Sequence, residues 1–106
     1  MPESVKIGPF EYWVSSDAES HMAVENTEKS RLDGRSCPIE LVIHVSPKGA
    51  EDYRRSTMIH EIVHQVFVIA GSMIDKDDEE KICRLLEAGL LGVIKENPDL
   101  VRWLTA

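Results

Sequence analysis

The sequence predicts an α+β fold in which a small, mostly antiparallel sheet packs against two main helices and a short C-terminal helix. Strand-like alternation of apolar and polar residues occurs only up to residue 45, and helical apolar spacing occurs only after it. A chain of 106 residues is long enough to bury one hydrophobic core. We therefore expect a single domain over residues 1–106.

The strand-like segments lie at the two ends of this first part. Apolar residues alternate from Val5 to Ser15 on either side of a Gly8-Pro9 break, which predicts a strand pair or one bent strand. Residues 16–36 are polar and aperiodic, and we expect a loop-rich connection, or a hairpin with short strand pieces around Met22 to Val24. Cys37 to Val45 has the clearest alternation in the chain and predicts one strand.

A first helix is predicted to begin at Ser46-Pro47, with serine as the N-cap and proline in the first turn. It should continue to about Ala70, with Gly71 as its stop signal. Its second half is apolar on several sides, so we expect it to be buried on more than one face and to be rigid.

A second helix is predicted from about Asp77 to Glu96, where Asn97-Pro98 ends it because proline disfavours helical geometry in the preceding residue. Residues 99–105 should form a last short turn, with Trp103 and Leu104 packed onto the body. The buried stripe of the second helix is predicted to contain Ile82, Cys83, Leu86, Leu90, Val93 and Ile94.

Composition and charge narrow the classes of function. The net charge of -7 disfavours a nucleic-acid binder, since phosphate contacts require clustered Lys and Arg. Two distant cysteines, Cys37 and Cys83, make no disulfide framework and should behave as small buried hydrophobes in a reducing compartment. Neither a signal peptide nor a membrane-spanning run is visible. We therefore expect a soluble cytoplasmic protein that binds neither nucleic acid nor membrane.

The most informative segment of the first helix is an H-E-x-x-H motif, formed by His60-Glu61-Ile62-Val63-His64. In a helix, residues at i and i+4 lie on one face, where two imidazoles can chelate one zinc ion. Glu61 would stand beside the metal, where it can accept a proton from water. Two imidazoles and a carboxylate among Ile and Val would be costly to bury without a compensating cation.

A catalytic zinc site usually needs a third protein ligand and keeps a fourth position open for water. The acidic start of the second helix is the expected source, with Glu79, Glu80 and Glu87 as candidates. A structural zinc site would instead need four protein ligands. For that site only the other histidines and the cysteines could supply the fourth, and none of them has helpful spacing.

Each glutamate also has a structural explanation. Asp77-x-x-Glu80 resembles a capping box, and Glu80 with Arg84 forms a favourable i,i+4 ion pair. Glu79 fits a solvated first-turn charge. Glu87 lies near the apolar stripe and its local partner, Arg84 at i-3, is in the less favourable orientation. Spacing alone therefore does not separate Glu80 from Glu87.

The chain resembles small phage-type metallopeptidases, which are gluzincin-like minimal domains distantly similar to the ImmA/IrrE peptidases. The likeness is carried by the H-E-x-x-H motif at residues 60–64, the acidic run at residues 77–80, Gly89-Leu90 and Glu96-Asn97-Pro98, and it extends to the opening strand at residues 5–8. The resemblance implies a zincin-like core and a zinc peptidase. It also implies Glu80 as third ligand, while Arg84 departs from the acid that many relatives carry.

The resulting hypothesis is a zinc endopeptidase in which His60, His64 and Glu80 hold Zn²⁺ and Glu61 is the general base. Its partner is a peptide or protein substrate, which could pair with the strand from Ile39 to Val45. The alternative is a catalytically weak metal-binding interaction module, phage-encoded, that binds a host regulator in the host cytoplasm.

An oxyanion-stabilising group is also expected in such a site. His44, Tyr53 and Arg54 are candidates, but each has a stronger structural explanation. His44 is predicted to lie on the other face of its strand, Tyr53 to pack, and Arg54 to be solvated. His21 follows a polar stretch and is predicted to lie at the surface.

Overall fold

The computed structural model describes residues 1–18, 21–22 and 33–106 of the chain. The described residues form a four-stranded sheet with strands β1 Ser4–Ile7, β2 Phe10–Ser15, β3 Gly34–Cys37 and β4 Val42–Val45. They also form the helices α1 Glu51–Ile69, α2 Lys76–Glu96 and α3 Pro98–Leu104. The predicted α+β class, with two main helices and a short C-terminal helix, is confirmed.

The N-terminal segment is the predicted strand pair. β1 and β2 are antiparallel, and Ile7 pairs with Phe10 across the turn. Gly8 lies in that turn at φ 57°, a left-handed conformation that glycine adopts without steric cost. The break at Gly8-Pro9 therefore turns the chain back on itself.

The prediction of one strand from Cys37 to Val45 is wrong. β3 ends at Cys37, residues 38–41 form a turn, and β4 pairs antiparallel with β3. Leu41 lies in the turn at φ 55°, outside the range of a strand. Ile39 is 91% exposed, so its place in the alternating pattern reflects no buried face.

The sheet has the strand order β1-β2-β4-β3, in which β2 and β4 are parallel and the other pairings are antiparallel. β4 is therefore paired on both sides. β3 lies at the edge of the sheet that the described residues form. β3 also falls inside the segment 16–36 that was predicted to be a loop-rich connection, most of which lies outside the described residues. Of the strand pieces expected around Met22 to Val24, Met22 is helical and residues 23–24 lie outside the described residues.

α1 begins four residues later than predicted, at Glu51, and its N-cap is Ala50. The hydroxyl of Ser46 accepts a hydrogen bond from the backbone N–H of Lys48 (3.1 Å), which makes a local turn and not a helix cap. Gly49 follows at φ 99° and is incompatible with a helix. The predicted end is confirmed, because the helix stops at Ile69 and Gly71 has φ 66°.

The face of α1 that is most deeply buried is polar, with Thr57, Glu61 and Gln65 spaced four residues apart. Apolar residues of its second half are only partly covered, and Val66 and Val68 are about half exposed. The prediction that α1 is buried on several apolar faces is therefore wrong. The apolar core lies within the sheet and beneath α1, and consists of Ile7, Tyr12, Ile43 and Val45.

α2 packs against α1 along most of its length and ends before Pro98, as predicted. Its N-cap is Asp75, and no side chain caps the helix, so the capping box at Asp77 does not form. In the predicted stripe Cys83 is buried and Ile82 half-buried, but the others are more exposed than predicted, namely Leu86, Leu90, Val93 and Ile94.

The two tryptophans lie at opposite ends of the described chain and are both exposed. Trp103 on α3 is 75% exposed and Leu104 is 65% exposed, which contradicts their predicted packing on the body. Trp13 on β2 is 57% exposed. Neither indole contributes to the core.

Both cysteines are free, with Cys83 fully buried and Cys37 half-buried. Burial raises the pKa of the Cys83 thiol to about 12, so it behaves as the predicted small hydrophobe. None of the helices in the described part of the chain has the length and apolar character that a bilayer span requires.

Candidate metal centre

His60 and His64 lie on the side of α1 that faces α2. Their Nε2 atoms are 3.2 Å apart. Two zinc–nitrogen bonds of about 2.05 Å at a tetrahedral angle would place the nitrogens roughly 3.3 Å apart. The ligand atoms of His60, Glu61 and His64 all lie within 4.8 Å of one another. The spacing predicted from the motif is thus present, and this group could hold a metal ion.

Glu80 on α2 faces the same point as the two histidines. One carboxylate oxygen lies 3.0 Å from His60 Nε2 and the other lies 2.8 Å from His64 Nε2. The antiparallel packing of α2 on α1 places Glu80 opposite the motif. This is the position expected of a third ligand.

Glu79 and Glu87 contact the opposite sides of the two rings. His60 Nδ1 is 2.6 Å from Glu87, and His64 Nδ1 is 2.7 Å from Glu79. Neither carboxylate faces the point where the Nε2 atoms converge. Histidines that bind metals commonly donate their other ring N–H to a carboxylate, which fixes the tautomer and the ring orientation. Of these glutamates, only Glu80 faces both Nε2 atoms.

The tautomers implied by these contacts favour a bound cation. A carboxylate can only accept hydrogen bonds, so Glu87 and Glu79 place the proton of each neutral imidazole on Nδ1. The Nε2 lone pairs then point at each other and at the oxygens of Glu80. Such a set of lone pairs repels unless a proton or a metal ion lies between them. The donor set, two imidazoles and a carboxylate, suits zinc.

The charges around the site also favour a bound cation. Burial lowers the pKa of His64, but hydrogen bonds to Glu79 and Glu80 outweigh it and raise that pKa above its ordinary value. For Glu80, burial opposes ionisation, but Arg84 and the two histidines lower its pKa below the ordinary value. Glu80 is therefore ionised near neutral pH, and the site attracts positive charge.

Arg84 forms the ion pair predicted with Glu80, with Nε 3.2 Å from Oε1. The same oxygen contacts His60. Because the Arg84 side chain is 73% exposed, solvent screens this pair and its contribution to stability is small. Arg84 also lines the cleft beside the site.

Glu61 lies on the buried face of α1, where 7% of the residue is exposed. Burial raises the pKa of its carboxyl, while a hydrogen bond from Ser36 Oγ (2.8 Å) and the nearby histidines oppose that rise. The environment thus favours a carboxylate that gains a proton more readily than one in water. This property suits a general base.

The site opens into a cleft of about 950 Å³ between β3, α1 and α2. Residues 33–36 form one wall of the cleft. The other wall contains His60 and His64 of α1 and the glutamates of α2, namely Glu79, Glu80 and Glu87. The cleft is large enough for several residues of a peptide.

The three residues considered for oxyanion stabilisation have different positions. His44 is 3% exposed and contacts Ser15 and His21, and Arg54 bonds to Glu51, the hydroxyl of Ser16 and the carbonyl of Ser46. The prediction that Arg54 is solvated is wrong, because it is half-buried with these partners. Tyr53 donates a hydrogen bond to Asp33 and is the one of the three that lines the cleft.

His21 is 2% exposed, so the prediction of a surface position is wrong. Its Nδ1 lies 2.9 Å from Nε2 of His44, and the two rings stack with centroids 5.2 Å apart. Hydroxyls of Ser46 and Ser15 lie at the outer nitrogens of the pair. This second histidine pair is satisfied by hydrogen bonds.

Sequence reasoning missed the residues that support the motif. Ser36 and Gln65, in the surroundings of Glu61, were not singled out at all. Glu79 and Glu87 were considered only as metal ligands, and their contacts with the Nδ1 atoms of the histidines were not foreseen. One signal was present. Thr57, Glu61 and Gln65 place polar side chains every four residues, on one helix face, in the half of α1 that holds most of its apolar residues.

In comparisons with known proteins, no protein-family model, no curated protein and no solved structure matches this chain.

Proposed function

We propose that this protein is a zinc-dependent metallopeptidase. The observation that supports this most strongly is the convergence of His60 Nε2, His64 Nε2 and the carboxylate of Glu80 on one point, with Glu61 buried beside them. That point opens into a cleft of about 950 Å³. When bound, zinc would polarise a peptide carbonyl and lower the pKa of water towards about 7.

In this proposal the protein's residues have separate tasks. His60, His64 and Glu80 hold the ion, while Glu87 and Glu79 orient the two imidazoles. Glu61 accepts a proton from water as the water oxygen attacks the carbonyl carbon, and it then delivers that proton to the departing amine. Burial raises the pKa of its carboxyl, which suits a group that gains a proton during the reaction.

Substrate binding is assigned to β3. The predicted substrate strand, Ile39 to Val45, does not fit, because β4 already pairs on both sides and residues 38–41 form a turn. β3 lies at the edge of the described sheet and lines the cleft with Gly34, Arg35 and Ser36. An extended peptide that pairs with this edge would pass beside the metal centre.

Replacement of Glu61 by glutamine tests the proposal. The amide has the size of the carboxylate but accepts no proton, so we expect kcat on a peptide library to fall by at least about 10²-fold. Zinc content, measured by atomic absorption, should stay near one ion per chain because His60, His64 and Glu80 are unchanged.

A matched control is Glu96→Gln, which makes the same change at an exposed residue at the end of α2. It should leave kcat and zinc content unchanged. A zinc-loaded wild type that cleaves no peptide in the library, or a Glu61→Gln variant as active as the wild type, would contradict the peptidase proposal.

A further inference from the structure

A chain of hydrogen bonds connects Glu61 to the interior of the sheet. The Tyr12 hydroxyl on β2 donates to Gln65 Oε1 (2.9 Å), and Gln65 Nε2 on α1 donates to the Ser36 hydroxyl (2.8 Å). Ser36 on β3 donates to Glu61 Oε1 (2.8 Å). Tyr12, Gln65 and Glu61 are buried and Ser36 is half-buried. These hydrogen bonds thus link β2, α1 and β3 to one carboxylate.

The donor and acceptor properties of these groups give the series of hydrogen bonds one direction. An ionised carboxylate only accepts, so Ser36 must give its single proton to Glu61. The Ser36 oxygen then accepts from the amide nitrogen of Gln65, and this fixes which way the amide points. Gln65 Oε1 is left to accept from Tyr12. Every donor therefore points towards Glu61.

Stability alone does not require such a chain. Apolar side chains of similar size at positions 12, 36 and 65 would fill the same space without the cost of desolvating polar groups. A buried polar network is favourable only when each member is satisfied, and then it holds one arrangement rigidly. Here the rigid end is Glu61, next to His60 in sequence.

We propose that Ser36, Gln65 and Tyr12 are positioning residues for Glu61, an inference that rests on the proposed peptidase function. The bond from Ser36 holds Oε1 against the wall of the cleft and directs Oε2 towards the water that attacks the substrate. Ser36 acts directly on the carboxylate. Gln65 acts through Ser36, and Tyr12 acts through Gln65.

The proposal predicts effects that weaken along the chain. Ser36→Ala removes the hydrogen bond that is made directly to Glu61, and we expect kcat to fall about 10- to 100-fold with KM within twofold, because a misplaced base slows chemistry while the main chain of β3 is unchanged. Tyr12→Phe removes one hydroxyl two steps away and should lower kcat only a few-fold. Ser36→Thr keeps the hydroxyl, suits a strand, and should restore most of kcat.

Ser4→Ala is the matched control, since Ser4 is also a strand serine that donates to a glutamate, Glu11 (3.2 Å), far from the cleft. It should leave kcat and KM unchanged. Zinc content should remain near one per chain in all four variants, because none of them changes a proposed ligand.

Crystal structures of the zinc-loaded variants give a readout independent of activity. In Ser36→Ala the Glu61 carboxylate should rotate from its position in the wild type, and in Ser36→Thr it should keep that position. An unmoved carboxylate in Ser36→Ala, or an unchanged kcat in that variant, would overturn the positioning role. An inactive wild type whose Glu61 is anchored by Ser36 would instead contradict the peptidase function alone.

Discussion

The buried pair of His21 and His44 gives the fold a dependence on pH. Burial, and then the neighbouring His21, lower the pKa of His44 below its ordinary value. Asp17 raises this pKa and Arg35 lowers it, both by smaller amounts. The folded state therefore holds His44 neutral, and the unfolded chain binds a proton more readily. By linkage, protonation of His44 in the unfolded chain does not reduce the free energy of unfolding above the unfolded pKa of about 6.5. As the pH falls below that value, the free energy of unfolding decreases.

We therefore predict that the difference in unfolding free energy between the wild type and His44→Gln narrows as the pH falls from 7.5 to 5.5. One group can contribute a slope of at most about 1.4 kcal/mol per pH unit. Urea denaturation of both proteins at a series of pH values measures this difference in unfolding free energy. Subtracting the variant's curve removes the titration of other groups that the two proteins share. A difference that does not change with pH would show that His44 does not titrate between folded and unfolded states.

Residue-level prediction succeeded where chemistry depends on local spacing. His60 and His64 converge because i,i+4 spacing in a helix is independent of the rest of the fold. Glu80 could not be separated from Glu87 by spacing, since their positions depend on how α2 packs against α1. His21 was misplaced because the polarity of its neighbours in sequence gives no information about a partner 23 residues away.

At the scale of elements, the hairpin formed by β3 and β4 shows what alternation cannot reveal. Ile39, Leu41 and Ile43 keep a period of two through a turn, so the pattern continues where the strand does not. The reversal depends on Leu41 in a left-handed conformation, which its sequence does not signal. The bounds of α2 were predicted well because its helical pattern continues over many turns and proline marks its end.

The close packing of β3 on α1 predicts a cost for a side chain at Gly34. A Cβ there would lie 2.7 Å from Thr57 Cγ2 and 3.0 Å from the backbone oxygen of His44. Thr57 is buried and β-branched, so it cannot rotate away easily. We predict that Gly34→Ala lowers the unfolding free energy by about 1–3 kcal/mol, measured by urea denaturation.

Two further variants test this explanation. Thr57→Ser removes Cγ2 while keeping the hydroxyl that bonds to the Tyr53 carbonyl, so Gly34→Ala combined with Thr57→Ser should recover part of the loss. Gly89→Ala is the control, because a Cβ there meets nothing within 4 Å and alanine favours a helix by up to about 1 kcal/mol. Equal losses at both glycines would show that packing against Thr57 is not the cause.

At the scale of the whole molecule, the proposed metal centre links α1 to α2. An ion held by His60, His64 and Glu80 binds the folded state and not the separated helices. It therefore adds about 2.7 kcal/mol of stability when free zinc is 100 times its Kd. For a domain of this size we predict a rise in Tm of roughly 10–20 °C over protein treated with a chelator.

Variants of the two rival glutamates sharpen this prediction. Glu80→Gln should remove most of the zinc-dependent rise in Tm. Glu87→Gln should keep more of it than Glu80→Gln does, because Glu87 is not a proposed ligand and its amide oxygen can still accept a hydrogen bond from His60 Nδ1. Circular dichroism at 222 nm with and without zinc measures both. A larger loss in Glu87→Gln than in Glu80→Gln would exchange the roles of the two residues.

The exposed tryptophans decide which spectroscopic signal can follow the folding of this protein. Trp13 and Trp103 are the chain's two indoles, and both are mostly in contact with water in the folded state. Unfolding therefore changes their surroundings little, and the native protein should already emit at the long wavelengths of solvated tryptophan. Tyr12 is almost fully buried, so near-ultraviolet dichroism of this tyrosine is the better optical report on core packing.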